Sequence, residues 1–181
     1  MNLPRPKAQP PPRPVIAGRP SERNPTFLTR GVAALVPFVY PCSVPSDQNQ
    51  LEYDRWMRQA ERDLKAAHTN VAGGFFEWAC FLSQQAAEKA LKAFLYRQGE
   101  RAVIGHSIQV LLKRAAGYAP DLADLHPAKR LDEVYIPSRY PNGLEDTTPG
   151  DFYAREDADS CMALAAQLIA RVKERSASSG G

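Results

Sequence analysis

Phe75-Phe76-Glu77-Trp78-Ala79-Cys80-Phe81-Leu82-Ser83-Gln84-Gln85-Ala86-Ala87-Glu88-Lys89-Ala90-Leu91-Lys92-Ala93-Phe94-Leu95-Tyr96-Arg97 is the stretch that decides the fold. Good helix formers fill it without one Gly or Pro, which predicts a helix from about Phe75 to Arg97. Phe75, Trp78, Ala79, Leu82, Ala86, Ala90, Ala93 and Phe94 share a face, and Phe81, Leu91 and Leu95 widen the apolar arc beyond what one partner helix covers. A central helix is therefore expected, packed on two sides or across a dimer interface. The alanines at 79, 86, 87, 90 and 93 would let neighbouring helices approach closely.

Working outward, Trp56, Ala60, Leu64, Ala67 and Val71 recur every three or four residues and predict a first helix over about Glu52 to Asn70, with Ser46-Asp47 as capping residues ahead of it. Its other face carries Arg55, Arg58, Glu61, Arg62 and Lys65, a solvated surface, and Gly73-Gly74 makes the turn. Downstream, Gly99 is the expected stop of the second helix. Ser107 is the natural N-cap of a third helix with Ile108, Leu111, Leu112 and Ala115 as its stripe and Gly117 as its end. Asp121 to Val134 reads as a fourth helical segment that Pro127 must break or kink. The prolines of Tyr135-Ile136-Pro137-Ser138-Arg139-Tyr140-Pro141-Asn142-Gly143 rule out regular helix or sheet there, and an acidic, turn-rich loop follows to Gly150. A last helix, about Arg155 to Arg175, repeats apolar positions at Ala158, Cys161, Leu164, Leu168 and Val172. Short loops between helices imply an all-α, antiparallel up-and-down bundle of about five helices over residues 51–176, with a flexible C-terminus at 177–181.

The 181 residues suffice for one such domain plus a tail. Eleven of the 16 prolines fall in residues 1–50, and Pro10-Pro11-Pro12 resists helix and central strand alike, so this segment is expected to be a disordered Pro/Arg-rich tail. It holds six basic residues against Glu22 and Asp47, more than the +3 of the whole chain, so the basic character that would point to nucleic acid belongs to the tail and the bundle is slightly acidic. Cys42, Cys80 and Cys161 have no paired spacing among themselves or with His68, His106 and His126. No disulfide framework, metal site or cofactor is expected, and Cys80 and Cys161 read as buried small hydrophobes in a reducing compartment. The apolar run Val32 to Val44 is broken by Pro37 and Pro41 and is too short to span a bilayer, so the expected location is cytoplasmic and off the membrane.

Candidate site residues follow from misplaced charge. Lys89 falls on the apolar face of the second helix, where it either contacts a phosphate or snorkels and pairs with Glu88 or Glu61. Lys92, one turn on, adds positive charge on that side. Gln84 and Gln85 either read a base edge or satisfy backbone groups. Arg139, in its Pro-bracketed loop, can hold a phosphate bidentately while Tyr135 or Tyr140 offers a stacking face; the structural alternative is a clamp on a helix-end carbonyl or on Glu133. His106, at a helix start, is either a cap neighbour or part of the site.

Three blocks, Trp56 to Leu64, Phe81 to Lys92 and Tyr135 to Pro141, together with His106-Ser107 opening the third helix, make the chain resemble the HEPN family, the higher eukaryotes and prokaryotes nucleotide-binding domain. The resemblance implies a helical bundle that is often homodimeric and binds a nucleotide such as ATP or GTP, with Lys89, Lys92, His106, Arg139 and Tyr140 as the nucleotide-binding residues. It also implies, as alternatives, the partner-binding half of a toxin-antitoxin pair with a minimal nucleotidyltransferase, or a metal-independent ribonuclease toxin acting on RNA. Many ribonucleases of the family carry a histidine four to six residues after the arginine, whereas here Gly143, Leu144 and Glu145 follow Arg139 at that distance. Histidine is the side chain that exchanges protons near neutral pH, so a binding role is favoured over catalysis, and no catalytic residue is assigned.

Overall fold

A computed structural model describes residues 47–178, and the tail with Cys42 and Ser46 lies outside them. The first helix, α1, spans Asp47–Ala72 and so starts inside the segment expected to be tail: Asp47 sits in the first turn, where a carboxylate suits the positive end of the helix dipole, and Asn49 is buried against the end of the second helix. Met57, Ala60, Asp63, Ala67 and Val71 form its buried stripe. The chain then reverses through Gly73 and Gly74, the latter at φ +80, a left-handed conformation that glycine adopts without the roughly 1 kcal/mol penalty of other residues.

The second helix, α2, spans Phe76–Arg97 and is central, as its breadth of apolar surface predicts. Ala79, Ala86, Ala87, Ala90 and Ala93 are fully buried, and both α1 and the C-terminal helix pack on α2, so its two-sided burial is met largely within one chain. Gly99, at φ +93, ends it, with the Glu100 N–H closing on the Leu95 carbonyl at 3.1 Å.

The third helix, α3 (Ile108–Ala116), starts on Ser107, whose Oγ accepts from the Val110 N–H. The predicted fourth helix is not α-helical over most of its length. Pro120–Arg130 is a 3₁₀ segment with Pro127 inside it, and only Leu131–Val134 (α4) makes an α turn. A proline removes the hydrogen-bond donor that an α turn would use and crowds the preceding turn, and the tighter i to i+3 winding accommodates it while Leu122, Ala128 and Leu131 still reach the core. Turns follow, including a 3₁₀ turn at Pro141–Gly143, with buried Ser138 donating to the Val134 carbonyl at 2.5 Å. Pro149–Phe152 forms one helical turn, α5, within the loop read as irregular. The last helix, α6 (Arg155–Ser178), runs three residues beyond its expected end, into the predicted flexible terminus. There is no strand among the described residues, and none of their helices is long and apolar enough to cross a membrane.

Candidate functional site

Glu88 is the hub of the polar region. It projects from the middle of α2 at 4 % exposure, and its carboxylate receives Lys92 Nζ at 2.9 Å, His106 Nδ1 at 3.2 Å and, more loosely, the side-chain amides of Gln84 and Gln85 at 3.4 Å. Gln84 also donates to the His106 carbonyl at 2.9 Å, tying α2 to the loop before α3. Buried charge is tolerated only when paired, and this arrangement pairs Glu88 and Lys92 one helical turn apart. Because an ionised carboxylate only accepts hydrogen bonds, the His106 proton belongs on Nδ1, leaving Nε2 as the basic nitrogen on a ring that is 60 % exposed.

Arg139 is positioned from the opposite direction. Val134 and Ile136 carbonyls catch the Ser138, Arg139 and Tyr140 amides, winding the Pro-bracketed segment into a turn. The guanidinium then rests 4.4 Å from the Tyr135 ring centre, 4.6 Å from Phe81 and 5.2 Å from Tyr140, an aromatic setting that holds a planar cation without neutralising it. Its Nε donates to the Tyr135 carbonyl at 2.9 Å, which is the structural clamp on a helix-end carbonyl. Its terminal nitrogens have no hydrogen-bond or ion-pair partner among the described residues.

His106 stacks on the same Tyr135 ring, at 5.3 Å between centres and 16° between planes. Tyr135 therefore brings together His106 and Arg139, which stand 33 positions apart in sequence. Tyr140 is half exposed beside them. The two lysines behave differently. Lys92 is spent on Glu88 and lies over Trp56 at 5.6 Å. Lys89 pairs with Asp63 of α1 at 2.7 Å rather than with Glu88 or Glu61, and also donates to the Gln85 side chain at 3.1 Å. It borders a cleft of about 640 Å³ between α1 and α2, lined also by Arg55, Trp56, Tyr96 and Arg101. Gln84 serves the structure, satisfying a backbone carbonyl, which is one of its two readings.

Three features escape a sequence reading. Glu88 as hub is signalled only by an acid amid an apolar arc. Asp132 accepts from Ser107 Oγ at 2.7 Å, Ile108 N at 2.6 Å and Gln109 N at 3.1 Å, so a residue 25 positions away completes the cap of α3 and fixes the loop that carries His106. The α1/α2 cleft has no linear signature. No group of three or more His, Cys, Asp or Glu side chains suited to a metal ion occurs among the described residues.

Fold and site together define a small helical module that presents a histidine and an arginine, the latter without an ion-pair partner among the described residues, around one tyrosine ring. Residues 53–175 match the family model of the HEPN domain, and the chain belongs to that family. It is 36 % identical to TT1696 from Thermus thermophilus, whose crystal structure superposes with a TM-score of 0.65 over 68 % of this chain and 97 % of that one. A crystal structure of ST0689, described as an archaeal HEPN homologue, is 41 % identical with a TM-score of 0.58 over the same shares. A Methanocaldococcus jannaschii relative named "Putative toxin MJ1304" is 27 % identical over 128 residues, which are 66 % of this chain and 84 % of that protein.

Proposed function

We propose that the chain is a HEPN module that binds the phosphate of a nucleotide, ATP or GTP, through Arg139 and His106, with Tyr140 stacking on the base, and that it works as a homodimer. The observation that carries this reading is the Tyr135 ring: it presents a guanidinium whose terminal nitrogens have no partner among the described residues and an exposed imidazole side by side, a pairing suited to an anion with a planar ring attached. Lys89 and Lys92, already paired, contribute to the field and to positioning rather than as direct ligands. Titration calorimetry of the full chain with ATP and GTP, alongside Arg139→Ala, tests it: binding lost in the variant supports the site, and no binding by the intact protein overturns the nucleotide reading. For the dimer, Trp78, Ile136, Tyr140 and Phe152 are exposed apolar side chains on or beside the site-bearing segment, an apolar display that suits a protein interface.

A second reading, a metal-independent ribonuclease toxin, is favoured by the Glu88–His106 contact. A carboxylate that fixes the Nδ1 proton leaves Nε2 to take a proton from an RNA 2′-hydroxyl as that oxygen attacks the adjacent phosphorus; the O2′–P bond forms, the P–O5′ bond breaks, and the departing 5′-oxygen takes a proton from water, while Arg139 faces the developing charge. The relative whose name reads "Putative toxin" fits the toxin part of this reading. Cleavage of RNA in excess chelator, abolished in His106→Ala, would establish it; RNA left intact by the wild type would exclude it. In a toxin-antitoxin setting the partner proposed is a minimal nucleotidyltransferase, tested by co-purification of the two chains.

A further inference from the structure

The cleft between α1 and α2 shares no lining residue with the group around Tyr135, and its volume of about 640 Å³ is that of a small-molecule site. The fold assembles it from three places in the sequence. Helix α1 supplies Glu52, Arg55 and Trp56, and α2 supplies Lys89 and Tyr96. Gly99, at φ +93, then turns the chain back at the end of α2, so that Arg101 joins the same rim. That end is pinned before any ligand arrives: Arg97 donates to the Gln50 side chain and lies over the Tyr53 ring at 5.2 Å, and Asn49 Nδ2 donates to the Arg97 carbonyl at 3.5 Å.

Two properties of the lining define what fits. The first is aromatic. Trp56 and Tyr96 are only partly buried, with ring centres 5.4 Å apart and planes inclined by 32°, so an apolar aromatic surface remains open to the cleft. The second is charge. Arg55 is spent on Glu52 at 2.7 Å and Lys89 on Asp63 at 2.7 Å, while Lys92, over the Trp56 ring, is spent on Glu88. Arg101 is exposed and has no hydrogen-bond or ion-pair partner among the described residues. The cleft therefore offers one uncompensated positive charge beside two rings.

We propose that this cleft is a second binding site, for a planar aromatic monocarboxylate whose ring packs against Trp56 and Tyr96 and whose carboxylate is held by Arg101. The guanidinium fork matches two carboxylate oxygens, and one free cation balances one ligand charge. A polyphosphate would bring further negative charge against Glu52, so the cleft discriminates against the nucleotides assigned to Arg139. The proposal is independent of what Arg139 binds.

The test is titration calorimetry of the full chain with indole-3-acetate, with neutral indole, acetate and ATP as comparison ligands. Saturable binding of indole-3-acetate is expected, with indole and acetate each far weaker, because each lacks half of the recognition. Arg101→Ala, a change at an exposed side chain, is expected to weaken binding about tenfold or more, as is Tyr96→Leu, with circular dichroism confirming that both are folded. Arg139→Ala is expected to leave indole-3-acetate binding unchanged. The proposal is overturned if the intact protein gives no saturable heat, if Arg101→Ala binds as well as the wild type, if indole binds as tightly as its acid, or if ATP binds and loses affinity in Arg101→Ala.

Discussion

Glu88 shows how one side chain sets the properties of several. Removing it as Glu88→Ala strands Lys92 in the core at 6 % exposure, and breaking a buried pair in this way costs about 3–5 kcal/mol. Urea denaturation is expected to show that loss, and a Glu88→Leu, Lys92→Met double variant is expected to recover most of it, because apolar residues of similar volume tolerate the site. Arg139→Lys keeps the charge but not the planar cation that three rings surround, so ligand affinity is expected to fall about tenfold, or about 1.4 kcal/mol. Tyr153 offers a pH test. Burial, with the neighbouring thiols and the Asp157 carboxylate, pushes its hydroxyl up to about 12 from an ordinary 10.0. The folded-state value lies above the unfolded one, so the contribution is intact below pH 10 and is lost as pH rises through that window; Tyr153→Phe is expected to flatten the fall of the melting temperature there.

Among the elements, α3 is short and depends on its cap. Asp132→Ala removes the acceptor for two backbone amides and the Ser107 hydroxyl, and a loss of about 1–2 kcal/mol is expected, together with faster amide exchange at Ile108 and Gln109. The helices themselves were readable: α2, α3 and α6 lie within a few residues of where periodicity, Ser107 and Gly99 put them, because each signal is local. The 3₁₀ winding of Pro120–Arg130 was not, since Pro127 announces a disruption without saying which helix type absorbs it. The start of α1 at Asp47 was missed because Asn49 is held by the Arg97 carbonyl, 48 residues away, and propensity does not see such a contact. Of the site, Arg139 and His106 were legible as candidates by residue type. Their convergence on Tyr135, and the neutralisation of Lys89 by Asp63, depend on how α1, α2 and the turn after α4 pack.

At the scale of the molecule, α2 is the element on which the other main helices converge, and overfilling its seam is expected to be felt throughout. Ala90→Leu adds volume where no space exists, and a loss of about 1–3 kcal/mol is expected in a single cooperative transition seen alike by circular dichroism and fluorescence. The proposed dimer belongs to this scale too: Trp78→Glu is expected to halve the mass measured by light scattering while leaving helicity unchanged. The chain has only two tryptophans, and the fold assigns them to different neighbourhoods. Trp78 touches Phe81, which borders Arg139, whereas Trp56 sits under Lys92 beside the α1/α2 cleft. The protein thus carries its own pair of optical reporters: with either indole replaced by phenylalanine, the quenching of the remaining emission tells whether a ligand has bound beside Arg139 or in the α1/α2 cleft.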